Sequence, residues 1–512
     1  MSLKNVYLPK SFIEKGNDFK SVDLDTALEL AGYGKFHYKI IAISAICLLT
    51  NGFQNGLPSY VFPSAEKSLK ITSVQIGFLN VAFQLGGISS AFLWGSLADS
   101  YGRRKILIIT LISDFLVTTI WSCISDYRVL IFCRFSNGFL IGAPGTIVFN
   151  YLAEFHAAKI RSKSVCYLGA AFTLSWPLLP TIAYFILPLD LQFESWRVFV
   201  FLLAIPELLT GLWLIRMPET PRYLVNTGQT EEALIVLKAM HWDNRRSDFA
   251  INCLRSESEV NACGKLSVIF KNMLKQMRRL FRSQTASLTV LISCIMFCNM
   301  FSYIGLGLWL PELFLRFQYF EANFPNDTFT VKDLASMVID EDKVFDFKLF
   351  ESTLMIGTCC VMGNLMSGYM NGKVSQRLVP VLTMALGAIA SGSIYFLRSS
   401  WENLLVACLF QGAMATGNVA IGSVAVELIP SSVAAVGLCF VILFGRIGAM
   451  VSNLIFGLFM DTRCELPIFL VSGALLLGTF LCLFIPGRNK KVTWLGSNKL
   501  HIDIAVISED NV

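Results

Sequence analysis

Long apolar runs separated by short polar segments occupy most of the chain between residues 37 and 485. A helix that crosses the hydrocarbon core of a bilayer needs about 20 mostly apolar residues. Twelve runs meet this requirement, so the pattern predicts an all-α membrane protein with twelve transmembrane helices. The runs are 37–60, 74–97, 106–124, 128–150, 165–187, 197–216, 287–310, 351–370, 378–397, 402–425, 433–459 and 466–485.

The polar segments divide these runs into two halves of six helices. The predicted parts are an N-terminal tail (1–36), a first six-helix bundle (37–216), a linker (217–286), a second bundle (287–485) with an outer loop (311–350), and a C-terminal tail (486–512). Within the linker, "GQTEEALIVLKAMHW" (228–242) has apolar residues at helical spacing. It predicts a short amphipathic helix that lies against the membrane or the bundle.

Composition supports a membrane protein and excludes several other classes. Hydrophobic residues make up 54% of the chain and charged residues 15%, whereas soluble proteins carry about 25% charged residues. The net charge of +6 is modest, and we expect no nucleic-acid partner. No G-x-x-x-x-G-K-[ST] or G-x-S-x-G motif is present, and the four histidines are dispersed. We therefore expect no enzyme, no ATP-driven pump, no cofactor and no metal.

Basic residues in the short loops predict the orientation. The loops after the second, fourth and eighth runs carry several lysines and arginines, whereas those after the third, ninth and eleventh carry one each. The positive-inside rule then places both termini in the cytosol. The acidic loop 311–350 lies on the opposite side and contains "NDT", which makes Asn326 a candidate glycosylation site.

The segment "GSLADSYGRRK" (95–105), between the second and third runs, carries the clearest mechanistic pattern. Asp99 at a helix end can pair with a helix N-terminus or with an arginine of a neighbouring helix. Gly102 allows a tight turn, and Arg103 and Arg104 hold the cytosolic side. A charge cluster that forms in one state and breaks in another acts as a gate latch. Simple topogenic charge is the alternative.

The spacing G-x-L-A-D-x-x-G-R-R in this segment resembles the major facilitator superfamily, a fold of twelve helices in two six-helix halves. A weaker copy, "SGYMNGKVSQR" (367–377), has Asn371 where an acidic residue is expected. A repeat at corresponding positions implies two related bundles that rock about a midplane site.

The fourth predicted transmembrane helix (span four) and the segment after the sixth (span six) narrow the resemblance to one branch of the superfamily. Arg134, Gly138, Gly142, Glu154 and Arg161 match the sugar and organic-ion transporter branch, as does "PETPR" (218–222). The whole pattern is most similar to the synaptic vesicle glycoprotein 2 group. The resemblance groups Arg134, Glu154 and Arg161 with the latch as gating residues. The stretches that carry it are "FPSAEK" (62–67), "AFLWGSLAD" (91–99), "FCRFSNGFLIG" (132–142), "SWRVFV" (195–200), "FSYIGLGLWLPEL" (301–313) and "AVELIPS" (425–431).

Polar side chains at membrane depth are the candidates for a substrate site. Asn51, Gln54 and Asn55 recur at helical spacing in span one, which predicts one polar face. In the vesicle-glycoprotein relatives, the positions of Asn51 and Gln54 resemble an acidic pair. Amides keep the hydrogen bonding and lose the charge, which predicts a substrate site without proton coupling.

Arg446, midway along span eleven, is the candidate anchor for an anionic substrate. Its alternative is an arginine that pairs with a neighbouring helix. Asp114 in span three and Glu207 in span six could pair with it, relay a proton, or serve packing, and we favour packing.

Tyr167 and Trp176 in span five, and Tyr303 and Trp309 in span seven, are the candidate pocket aromatics. We expect Tyr167, Tyr303 and Trp309 to bind the substrate; ordinary packing of these side chains is the alternative.

Taken together, these features predict a monomeric transporter, with no nucleic-acid partner and no cofactor. It moves a small organic solute, an anion in the first interpretation, across the plasma membrane or a vesicle membrane by alternating access. Two alternatives stay open: a transport-inactive membrane glycoprotein that binds or regulates, and a transporter of organic cations or sugars.

Overall fold

A computed structural model describes residues 21–189, 192–249, 251, 253–254, 278, 280–281, 286–323, 347–370, 374, 377–429 and 434–486. Asn326, Asn371 and most of both predicted tails lie outside these residues. The first half contains α1 (Leu24–Ala31), α2 (Lys35–Gly56), α3 (Pro58–Leu69), α4 (Ser73–Tyr101), α5 (Arg103–Cys123), α6 (Tyr127–Ala153), α7 (Ala158–Ile186) and α8 (Ser195–Ile215).

The second half follows two linker helices. The linker contains α9 (Pro221–Asn226) and α10 (Thr230–Arg245), so the amphipathic helix forms close to its predicted position. A two-residue parallel pairing joins β1 (Ser21–Val22) to β2 (Cys253–Leu254). The second bundle contains α11 (Ala286–Asn323), α12 (Phe347–Met370), α13 (Leu378–Ser393), α14 (Ser400–Leu428), α15 (Ala434–Phe459) and α16 (Glu465–Cys482).

The helices confirm the predicted all-α membrane fold. In the described part of the chain, 11 helices are long and apolar enough to cross a membrane, and the bent α4 raises the number to 12. Helices α2 and α3 act together as one span from Lys35 to Ala65. Helix α4 bends by 44° between Ala91 and Leu93.

One predicted boundary is wrong. The outer loop was expected over 311–350, but α11 continues past Pro311 to Asn323, and α12 already begins at Phe347. The apolar run ends near residue 310, yet the helix does not end with it. The described continuation is packed: Phe314 and Phe317 have no exposed surface. Tertiary contact therefore extends this helix beyond the apolar stretch.

Small residues let helices of the first half approach closely. A Cβ on Gly138 of α6 would collide with the Phe83 carbonyl of α4, and a Cβ on Gly142 would reach Ser90 of the same helix. Gly138 and Gly142, four residues apart, thus form a small-xxx-small face, a pattern that lets two membrane helices approach closely.

The two halves meet along two pairs of helices. Helix α4 packs on α15, and α7 packs on α12. Gly77 of α4 crosses Gly457 of α15 so closely that a Cβ on Gly457 would lie 2.8 Å from the Gly77 Cα. In the second pair, the backbone of Trp176 lies against Gly357. The faces that connect the halves are therefore built at glycines.

Candidate functional site

The interface between the halves is closed at one end and open at the other. We call the end that carries residues 99–105 the latch end, and the opposite end the outer end. The close crossing of α4 and α15 lies toward the outer end. By contrast, an added Cβ would meet no atom of another element within 4 Å, among the described residues, at Gly228 of the linker, at Gly473 of α16 and at four further glycines. These four lie toward the latch ends of α4, α7, α12 and α14: Gly95, Gly169, Gly368 and Gly422.

Arg446 lies between the halves, near the middle of α15. Its guanidinium rests against Gly87 of α4, where the Nη1 atom occupies the position that a Cβ would take. The side chain is partly exposed. Among the described residues, no carboxylate forms an ion pair with Arg446 and no group forms a hydrogen bond with it. A cation in this setting, without a protein counter-charge, suits an anionic ligand.

The three amides of span one do not share one environment, contrary to the prediction. Asn51 donates to the Ile141 carbonyl (3.0 Å). Asn55 donates to the Asn51 side-chain oxygen (3.0 Å) and to the Asn51 carbonyl (2.8 Å). Gln54 turns toward α5 and α8, and donates to Glu207 (2.9 Å) and Thr118 (2.9 Å). The structure therefore brings Asn51 and Asn55 together and places Gln54 in a separate, buried group.

That buried group is a polar network inside the first half. Asn137 donates to Asp114 (2.7 Å) and Thr118 (2.8 Å), so the network connects to Gln54 through the Thr118 hydroxyl. Asp114, Asn137, Thr118 and Glu207 have no exposed surface. The sequence analysis missed Asn137 and Thr118. Their spacing was a usable signal, because Thr118 lies four residues after Asp114 and Asn137 three residues after Arg134.

Arg134 belongs to this interior and not to the latch, so its grouping with the gating residues is wrong. Its guanidinium carbon lies 4.3 Å from the ring centroid of Phe83 and 5.1 Å from that of Trp121. The side chain is fully buried. It also interacts electrostatically with Asp114. Midway along α6, it is too far along the helix to reach the loop that carries the latch.

The predicted aromatics fall into two groups. Tyr303 and Trp309 of α11 are 2% and 4% exposed. Tyr303 lies 6.1 Å from Trp176 of α7, so this ring pair joins the two halves. The Trp309 indole N–H donates to Asn453 of α15 (3.3 Å), a residue that the sequence analysis missed. Tyr167 is 65% exposed, and the structure does not bring it to the other candidates.

The predicted latch forms in part. Arg103 bonds Asp99 at 2.8 Å and Glu154 at 3.1 Å. Gly102 has a φ of 102°, which requires glycine at the turn. Arg104 donates to the Leu214 carbonyl (2.9 Å) and the Ile215 carbonyl at the end of α8. All these contacts stay within the first half, so this end is not closed by them.

Arg161 was expected to join the Asp99 cluster, and the structure places it elsewhere. It pairs with Asp25 of α1 at 3.0 Å, and Arg222 of α9 pairs with the same carboxylate at 2.8 Å. The N-terminal helix thus ties α7 to the linker.

Burial raises the pKa of Glu154 and of Glu219 above 4.5, with the nearby arginines opposing that shift. These carboxyls protonate more readily than exposed ones.

Comparison with known proteins agrees with this architecture. The family description of the Major Facilitator Superfamily matches residues 44–331. The chain is 23% identical to synaptic vesicle glycoprotein 2B of Rattus norvegicus, over 91% of this chain and 86% of the relative. It is also 23% identical to human synaptic vesicle glycoprotein 2C, over 91% and 80%.

Solved structures share the fold. The partially occluded inward-open xylose transporter XylE from E. coli aligns with a TM-score of 0.66 at 17% identity, over 88% of this chain and 98% of that one. A D-xylose-proton symporter aligns with a TM-score of 0.63 at 16% identity, over 88% and 98%. With 11 to 12 candidate spans in two halves among the described residues, and a family match over more than half of its length, the chain belongs to the Major Facilitator Superfamily, a superfamily of multi-pass membrane transporters.

Proposed function

We propose that this protein carries a small organic anion across a membrane by alternating access, with Arg446 as the anchor of the negative group. The observation that carries the proposal is the position of the Arg446 guanidinium. It touches α4 of one half from α15 of the other, and it has no acidic partner among the described residues.

The free-energy cost of placing the Arg446 charge in a membrane helix indicates that this residue has a functional role. An arginine near the centre of a membrane helix costs about 2.5–3.5 kcal/mol on insertion scales. A structural arginine offsets this cost with a carboxylate or ring contacts, as Arg134 does with Asp114, Phe83 and Trp121. Arg446 has neither. The planar, forked guanidinium of Arg446 matches the oxygens of a carboxylate, sulfonate or phosphate, and such an anion would supply the missing counter-charge.

The open latch end gives the anion a route. At that end of α4, α7, α12 and α14, four glycines have no described atom within 4 Å of an added Cβ, and we infer that this open space continues between the halves below Arg446. The outer end is closed at Gly77 and Gly457. A solute bound at Arg446 would touch both halves, so its binding energy can drive their relative movement.

We further propose that the latch end faces the cytosol, on the basis of the basic loops. Both termini would then be cytosolic, and Asn326 would face the lumen or the exterior, where it can be glycosylated. The linker with α9 and α10 would be cytosolic, as would both tails. The membrane is the plasma membrane or, as the names of the relatives suggest, that of a vesicle.

Binding to purified protein tests the proposal. A panel of carboxylates, sulfonates and phosphate monoesters, with cations and sugars as comparison sets, is screened by thermal shift and then by uptake into proteoliposomes. We expect anions to raise the melting temperature of the wild type, and Arg446→Ala to abolish the shift. Arg446→Lys separates charge from fork geometry. Arg398→Ala, which removes an exposed arginine between α13 and α14, is the matched control.

The outcomes distinguish the alternatives. Stabilisation by cations or sugars alone, unaffected by Arg446→Ala, contradicts the anion proposal. Anion binding at Arg446 without uptake favours the transport-inactive, regulatory alternative. Uptake that already follows a proton gradient contradicts the prediction of a site without proton coupling.

A further inference from the structure

Among the described residues, the outer end of the interface is closed without an ion pair between the halves; Glu312 lines the small cavity there but pairs with Arg316 of its own half. None of the ion pairs among the described residues joins the two halves. Three uncharged side chains meet there instead. Asn80 of α4 donates to the Asn453 side-chain oxygen (3.4 Å), and Trp309 of α11 donates to the same oxygen (3.3 Å). We call Asn80, Asn453 and Trp309 the amide lock.

The chemistry of its neighbours fixes the orientation of Asn453. The indole N–H of Trp309 can only donate, so it must face the amide oxygen. The Ala449 carbonyl can only accept, and it receives the Asn453 amide N–H at 2.8 Å. Asn453 therefore has one arrangement that satisfies both partners, and its oxygen is presented to Asn80 of the other half.

The lock is buried at the closest approach of the two halves. Asn80 and Trp309 are 4% exposed and Asn453 is fully buried. One turn further toward the outer end, Gly77 crosses Gly457. Tyr60 of α3 and Thr353 of α12 also lie close to each other across the halves, beside the other helix pair.

We propose that the amide lock holds the outer end closed and sets the balance between the two access states. The proposal rests on the proposed function only in taking alternating access as the protein's motion. Each neutral hydrogen bond shifts an equilibrium by roughly 2- to 12-fold, which is enough to favour a state and little enough to be broken in each cycle. A buried ion pair would be much harder to open.

The test measures opening without any ligand or transport. Ser59, in a small cavity beside Asn80 and Trp309, and Thr353, on α12, are both buried and are replaced one at a time by cysteine. The rate of modification by N-ethylmaleimide is read at that residue by mass spectrometry of purified protein. Asn453→Leu removes the one hydrogen bond of the lock that crosses between the halves, the bond from Asn80, so it should raise the rate at both positions by roughly 2- to 12-fold. Trp309→Phe, which removes one donor, should give a smaller rise.

Matched controls separate opening from general damage. Asn403→Leu makes the same change at a buried amide of α14 whose side chain has no hydrogen bond among the described residues. It should leave both rates unchanged. Gly457→Ala gives a second route, because its Cβ would push against Gly77 and force the crossing apart. Gly473→Ala is its control, since a Cβ there meets no described atom within 4 Å.

Equal increases of the modification rate at positions 59 and 353 in Asn453→Leu and Gly457→Ala support the amide lock. Unchanged rates in Asn453→Leu and Gly457→Ala overturn the proposal, and so does a rise at position 59 alone, which would mean local loosening. If Asn453→Leu fails to fold, Trp309→Phe and Gly457→Ala decide the outcome. A protein that binds no anion can still show the increased modification rates. The amide-lock proposal and the anion proposal can therefore fail independently of each other.

Discussion

The interiors of the two halves differ in how deeply they bury charge. The first half buries an arginine and two carboxyls in one network: Gln54 binds Glu207, Asn137 binds Asp114, and aromatic rings cover Arg134, although one oxygen of each carboxyl and two nitrogens of Arg134 have no described hydrogen-bond partner. The second half buries one arginine, Arg316, whose partner Asp461 is half-exposed, and it also buries neutral amides. Asn403 and Gln411 are buried, and both side-chain polar atoms of Asn403 and the oxygen of Gln411 have no partner among the described residues.

This difference indicates a division of labour. Charges fixed by several contacts make the first half rigid, because moving any helix of the network would leave a buried charge unpaired. In the second half, the charged contacts of Arg316 lie toward the outer end, and buried amides such as Asn403 add no charged ties of this kind. Arg446, which has no charged partner within the part of the chain that the structure describes, comes from that second half. The first half therefore resembles a scaffold, and the second half presents the groups that remain available.

The largest expected loss of stability comes from removing Arg134, the buried arginine of the first half. Arg134→Leu leaves Asp114 and Glu207 buried without a positive charge, and we expect the free energy of unfolding to fall by about 3–5 kcal/mol. Thermal or denaturant unfolding of purified protein measures the change. Asp114→Asn in the Arg134→Leu background should recover part of the loss. Full additivity of the two substitutions would show that the charges act independently.

The sequence predicted the architecture well because apolar length alone decides where a helix can cross a membrane. It could not predict which neighbour each polar side chain contacts. Asn51 and Gln54 are three residues apart, so their side chains point about 60° apart around the helix, enough to reach different helices. That Arg446 has no described partner depends on contacts between the halves, which no local pattern encodes.

A smaller effect is expected from changing the amide that faces Glu207. Gln54→Glu would place a second carboxyl where the Gln54 amide now donates at 2.9 Å. The donor is lost and a like charge is added, so we expect a loss of about 1–3 kcal/mol of unfolding free energy at neutral pH. Gln54→Leu, which removes the donor without adding charge, is the comparison. If Gln54→Glu is as stable as the wild type, the network tolerates charge and the rigid-scaffold interpretation is wrong.

The smallest effect is expected in the second half, at Asn403. Its side chain has no exposed surface and forms no hydrogen bond among the described residues. Replacing it with leucine removes an unsatisfied buried amide and leaves no partner behind, since none was bonded to it. Asn403→Leu should therefore leave the free energy of unfolding unchanged or raise it by about 1 kcal/mol. The same unfolding measurement used for Arg134→Leu reports the change. A loss above about 2 kcal/mol would mean that this amide is committed to a structural contact, and the contrast between the two halves would no longer hold.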